Sequence, residues 1–169
     1  MGKFIATLAC ARLSRAPFVC VAAGDSDTCV CHEGFSVCGG QCWHVNNTAS
    51  LNYTQAQDYC SSLGARLALP ANVTEHDCAF CIMDIALAWF LDTTWLGITG
   101  GSTLESFEGP DGPLQYTRWE IQTLKECSSW GCDNCATLAS TGRWHVEKCS
   151  SSSFPMCQRE CAAPTPLEC

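Results

Sequence analysis

Cysteine is the side chain with the most chemistry on offer in this chain, which holds 16 of them in 169 residues. Four form two Cys-x-x-Cys units, Cys78-Ala79-Phe80-Cys81 and Cys132-Asp133-Asn134-Cys135. As free thiolates, such units have the spacing of zinc ligands. With a depressed thiol pKa they would serve as a redox pair, but no basic residue adjoins Cys78 or Cys81 to depress it. An even count at this density predicts disulfides in an oxidising, extracellular compartment. A sulfur bonded to sulfur is neither a zinc ligand nor a nucleophile. His32, His44, His76 and His145 are scattered, with no metal-spaced pair among them. No Gly-x-Ser-x-Gly turn offers an activated serine. Glu75-His76-Asp77 reads as the acidic first turn of a helix, where negative charge meets the helix dipole. These residue types supply no nucleophile with its base, so the chain is read as a binder and not an enzyme.

The remaining candidates lie in one loop. Cys127-Ser128-Ser129-Trp130-Gly131-Cys132 has the form of a short ring closed by Cys127 and Cys132, with Trp130 at its tip. An exposed indole stacks on a sugar ring or anchors a protein contact; the alternative folds Trp130 back into the core. Glu126, Asp133 and Asn134 bring oxygen atoms that could hold a cation, or they are solvated loop residues.

Composition narrows the partners. The formal charge is -8 and only 15% of residues are charged. That balance argues against nucleic acid and against an anionic membrane surface. Residues 1–23 resemble a cleavable leader: Lys3 opens it, two apolar runs follow, and Val21-Ala22-Ala23 offers a small-residue cleavage site. Arg12 and Arg15 interrupt the apolar part. No later stretch is long and apolar enough to span a bilayer. Asn46, Asn52 and Asn72 each begin an Asn-x-Thr sequon and are expected to carry glycans on exposed backbone. The expected organisation is a leader at 1–23, one domain at 24–161 and a proline-containing tail at 162–169.

Several elements must position that loop. Residues 31–42 read as a glycine-turned hairpin with a cysteine at each end; Cys29 and Cys38 could form a second local bridge. A helix is expected at about 54–64, with Thr54 and Gln57 as a capping box. A second is expected from about 73 to 90, capped by Asn72 with Glu75, its buried stripe being Cys78, Ile82, Ile85 and Trp89. Trp95-Leu96-Gly97-Ile98 is a short apolar run bounded by glycines, the signature of a fully buried strand. Gly97 would sit where another element comes too close for a side chain. Asp111-Gly112 signals a turn, and residues 116–119 could be a short strand. Residues 99–134 are otherwise irregular, which inside a compact domain suggests a binding loop. Residues 135–138, 142–146 and 154–159 read as strands.

Taken in order, these pieces resemble a C-type-lectin-like domain over residues 29–161. The resemblance rests on the 31–42 hairpin, Tyr59-Cys60-x-x-Leu63-Gly64-Ala65-x-Leu67 and Trp95-Leu96-Gly97-Ile98. It continues through Asp111-Gly112, Trp119, Cys135-x-x-Leu138, Trp144 and Cys149 to Phe154-Pro155-x-Cys157. It implies a disulfide-rich α+β fold, with two helices on small antiparallel sheets and a long irregular loop. It implies bridges Cys60–Cys157 and Cys135–Cys149, with Cys31–Cys42 as the hairpin bridge of the long form. Family members that bind sugar through Ca2+ use a Glu/Gln-Pro-Asn/Asp triplet and a Trp-Asn-Asp strand, because Ca2+ takes six to eight oxygen ligands. Here no proline falls between Trp119 and Cys135, and the strand reads Trp144-His145-Val146. The resemblance therefore implies a secreted module, in innate defence, that binds a glycan or an extracellular protein with no cofactor, calcium included. A structural or surface-adsorbing protein, matrix or ice-binding in kind, is the alternative on the same scaffold. A disulfide-linked oligomer through Cys169 is a third reading.

Overall fold

A computed structural model describes residues 8–11, 19–22, 29–87, 92–101, 103–120 and 134–162, the first two segments as backbone strands alone. In chain order the elements are β1 (Leu8–Ala11), β2 (Val19–Ala22), β3 (Ser36–Cys38), β4 (Gln41–Val45), α1 (Tyr53–Ser62), β5 (Arg66–Leu67) and α2 (Val73–Ala86). Then follow β6 (Thr93–Gly100), β7 (Glu108–Gly109), β8 (Gly112–Pro113), β9 (Asn134–Ala139), β10 (Trp144–Lys148) and β11 (Phe154–Glu160). In the stretch expected as a leader, β1 and β2 pair with each other, Leu8 opposite Ala22.

The main sheet runs β10-β9-β6-β11-β4-β3. It is mixed: β11 lies parallel to β6, with Phe154 opposite Thr94, and antiparallel to β4. The fold is α+β with two helices, and the sheet differs from the purely antiparallel ones expected. The reason is that β11 returns from the far side of the β9–β10 hairpin and inserts between β6 and β4.

Trp95, Leu96 and Ile98 are fully buried. Leu96 and Ile98 point into the larger core with Trp43, Leu138, Trp144 and Met156. Trp95 points the other way, into a smaller core with Tyr53, Ala56, Cys60, Leu67, Cys135 and Cys157. A strand covered on both faces has no polar side, which is why its sequence reads as an unbroken apolar run. At roughly 25 cal/mol per Å² and about 200 Å² of side chain, burying each of these tryptophans contributes about 5 kcal/mol. Between the two cores, Gly97 donates its N–H to the Ala68 carbonyl at 2.7 Å.

Both helices start on sequon asparagines. The Asn52 side chain accepts from the Gln55 N–H at 2.9 Å, and the Gln55 side chain accepts from the Asn52 N–H at 3.1 Å. The capping box thus sits two residues before the Thr54–Gln57 pair that the sequence suggested. Asn sits at the head of the N-cap ranking, and its carbonyl reaches the third amide. Asn72 caps α2 by accepting from the Glu75 N–H at 3.0 Å. Helix α2 buries His76, Cys78, Ala79, Phe80, Cys81, Ile82 and Met83. That is two faces, not the single stripe expected, and Ile85 is 55% exposed; Trp89 lies outside the described residues.

The cysteines staple these elements. Cys60 on α1 is bonded to Cys157 on β11, Cys135 to Cys149 and Cys31 to Cys42. Cys29 and Cys38 do not form a local bridge. Cys29 joins Cys161 and Cys38 joins Cys78, across 132 and 40 residues of sequence. Val30 pairs with Ala162 and carries Cys29 to Cys161, while the β3–β4 turn carries Cys38 against α2.

A Cβ on Gly97 would stand 2.9 Å from the Leu67 carbonyl oxygen and 3.3 Å from the Leu67 Cβ. Both neighbours are held in β5, so Gly97→Ala is expected to cost about 1–3 kcal/mol by overpacking. The urea midpoint of the variant against the parent measures it.

Candidate functional site

The long loop leaves the sheet at the end of β6 and returns at the start of β9. Its outward arm runs through the hairpin of β7 and β8, where Glu108 pairs with Pro113 and Gly112 takes the turn at φ 108°. Residues 118–120 then lie alongside β10. The Trp144 N–H donates to the Arg118 carbonyl and the Glu120 N–H to the Trp144 carbonyl, both at 2.8 Å. Residues 116–119 are therefore a bridge at Trp119 and not the strand suggested by sequence.

Aromatic packing fixes this arm. Trp119 meets Trp144 edge-on, with centroids 5.5 Å apart, and lies 4.8 Å from Phe107. Tyr116 approaches Trp144 from another side at 5.8 Å. Each such ring pair adds about 0.5–1.5 kcal/mol beyond its buried area. The returning end is held by Asn134, which is buried and donates its Nδ2 to the Gly101 carbonyl at 2.7 Å. Cys135 is bonded to Cys149 one residue later.

The site residues read from the sequence separate accordingly. Asn134 forms the base of the loop. Glu126, Trp130, Asp133 and the Cys127–Cys132 ring lie outside the described residues. The Trp144-His145-Val146 run lies on β10. There, Val146 packs against the larger core. His145 stands opposite Thr137 on β9, and among the described residues its Nε2 and the Thr137 Oγ1 are buried with no hydrogen-bond partner. The sequon asparagines are spread apart: Asn52 and Asn72 cap helices, and the Asn46 Oδ1 accepts from the Thr48 N–H and hydroxyl at 3.0 and 2.6 Å.

One partner of Trp144 was not legible as such. The indole Nε1 donates to the Nδ1 of His76 at 3.2 Å. An Nδ1 that accepts leaves the proton on Nε2, so the ring is neutral. Burial, then the Arg118 guanidinium, push the His76 pKa down to about 4, against a smaller upward pull from Asp77 and the Gly142 backbone. Sequence placed His76 in an acidic first turn; only the packing of α2 on β10 reveals its role.

Two cavities of about 180 and 210 Å³ flank Arg66, whose guanidinium pairs with Asp111 at 3.0 Å. A third of about 250 Å³ lies beside Trp43 and Ile85. All are smaller than the roughly 300 Å³ at which pockets begin to enclose a small ligand.

Residues 49–159 match the family model described as the Lectin C-type domain. The carbohydrate-recognition domain of mouse scavenger receptor C-type lectin has the same fold, with a TM-score of 0.64 and 18% identity over 78% of this chain and 98% of that one. Human lithostathine gives 0.65 and 19%, covering 77% and 99%. A calcium-independent type II antifreeze protein gives 0.64 and 19%, covering 79% and 97%.

The buried His76 makes stability depend on pH. Its folded pKa, about 4, lies below the unfolded value of about 6.5. Above about pH 6.5 both states are neutral and the fold is unpenalised. Below it the unfolded chain takes up a proton that the folded chain refuses. Stability is expected to fall by about 3 kcal/mol between pH 6.5 and 4 from this residue. Denaturation midpoints across that range should show the slope. His76→Gln, which keeps an acceptor for Trp144, should lose it.

Proposed function

Because the chain belongs to the C-type lectin domain family, we propose that it is an extracellular recognition module that binds a carbohydrate or protein ligand without the calcium–sugar site. The observation that carries this reading is the chemistry of β10. Val146 is given to the core, and His145 supplies nitrogen, a ligand that Ca2+ does not favour. The proposed contact surface is the long loop, with Trp130 stacking on a sugar ring or filling a protein pocket and Glu126 and Asp133 supplying polar contacts. Asn134 and the Trp119–Trp144 pair hold the base of that loop. Such a site needs no metal to order the loop, because its ends are held by ring packing and a disulfide. The density of bridged cysteines supports a setting outside the cell, and innate defence is the proposed role. Among the described residues, no helix is long and apolar enough to cross a membrane.

A glycan array read with calcium and with EDTA tests the proposal, together with melting in both conditions. A calcium ion bound at a hundred times its Kd would add about 2.7 kcal/mol, or roughly 5–10 °C for a domain of this size. The expected result is a bound glycan or protein, no melting shift in EDTA, and a loss of about 2 kcal/mol of binding in Trp130→Ala. A shift of the calcium size, or binding abolished by EDTA, would overturn it. So would silence toward glycans and proteins combined with adsorption to ice, mineral or matrix.

A further inference from the structure

Where the two ends of the domain meet, four sulfur atoms form one cluster. Cys29 is bonded to Cys161 and Cys31 to Cys42. The Sγ atoms of all four lie within 4.8 Å of one another. Those of Cys42 and Cys161, which belong to different disulfides, are 3.8 Å apart. In a tetrahedral zinc–thiolate centre with Zn–S bonds near 2.3 Å, the sulfur–sulfur edge is about 3.8 Å. The contact between the two disulfides therefore already has the edge length of a tetrathiolate. Among the described residues, no other group of Cys, His, Asp and Glu side chains meets the same spacing.

The backbone holds these sulfurs in place by hydrogen bonds as well as by the disulfides. Val30, between Cys29 and Cys31, exchanges two hydrogen bonds with Ala162 at 3.1 and 3.2 Å. Ala162 directly follows Cys161. Cys42 lies in the β4–β11 ladder opposite Arg159. These pairings are made between backbone atoms and do not run through the disulfides. Cys42 is fully buried and the other three are partly exposed, so a cation would approach from solvent toward a dry inner wall.

We propose that this cluster is a clasp with two redox forms: a pair of disulfides when oxidised, and a tetrathiolate site for a zinc-class divalent cation when reduced. Reduction takes two equivalents of a dithiol. Each closes to a cyclic disulfide while one protein S–S bond becomes two thiols. Binding then breaks four S–H bonds, forms four metal–sulfur bonds and releases four protons, with no change in the oxidation state of the metal. Because protons leave, affinity rises with pH. The consequence is that residues 29–31 and 161–162 stay joined in either redox environment.

The full chain, reduced by a dithiol under argon and desalted, is titrated with Co2+ and then Zn2+. One equivalent of Co2+ is expected to bind with the visible absorption of a tetrahedral thiolate complex, and Zn2+ to displace it. The double variant Cys29→Ser with Cys161→Ser should lose that absorption, and Cys38→Ser with Cys78→Ser should keep it. Independently of any variant, Zn2+ should abolish alkylation of Cys29, Cys31, Cys42 and Cys161 in the parent, mapped by peptide mass. Absent metal uptake, a protected set lacking any of the four, or a cobalt band retained in the first double variant would overturn the proposal.

Discussion

Everything in this domain depends on bringing its last strand back to its beginning. Strand β11 pairs with β4, β5 and β6 at once, and Cys157 at its centre is bonded to Cys60 on α1. A link across 97 residues removes about 4–5 kcal/mol of loop entropy from the unfolded chain in the entropic account. The strand also supplies Met156 to the larger core and Cys157 to the smaller one. Neither core is complete without β11. Such non-local pairing is slow to form, and the covalent links make it hard to lose afterwards.

That closure explains why β6 is apolar on both sides. With β11 on one flank and β9 on the other, β6 is an interior strand. Helix α1 covers one of its faces and α2 helps cover the other. A side chain at Gly97 would have to displace Leu67, so the glycine is what lets β5 pass close to β6 there.

The sequence revealed those parts of the fold whose signals are local. The doubly buried run at 95–98, the glycine turn at 111–112 and the strands at 135–138 and 154–159 each carry their own pattern. Signals that depend on a partner were misread or missed. The α1 cap was displaced by two residues because Asn52 and Thr54 both offer a capping oxygen, and only the backbone geometry chooses between them. Ile85 fits a helical stripe, yet the stripe follows the two neighbours of α2 and not an idealised single face. Cys29 and Cys38 looked local because sequence distance was the available guide. Their partners are chosen by the Val30–Ala162 bridge and by the seat of α2 on β3 and β4. His76 resembled any acidic-turn residue until Trp144 was placed against it. Of the candidate loop residues, only Asn134 falls in the described part, at the loop's base.

The environment of Trp144 connects fold to function. A fully buried indole needs an acceptor for its N–H, and an unmet donor in such a place would cost about 1–3 kcal/mol. His76 meets that need only while neutral, and its burial keeps it so above acid pH. In the same strand, the Trp144 backbone holds residues 118–120, the last described part of the loop's outward arm. Indole, imidazole and loop backbone thus form one unit, in which packing does the work of aligning the loop. Trp144 holds the described end of the outward arm from beneath, by its backbone and by its ring at once.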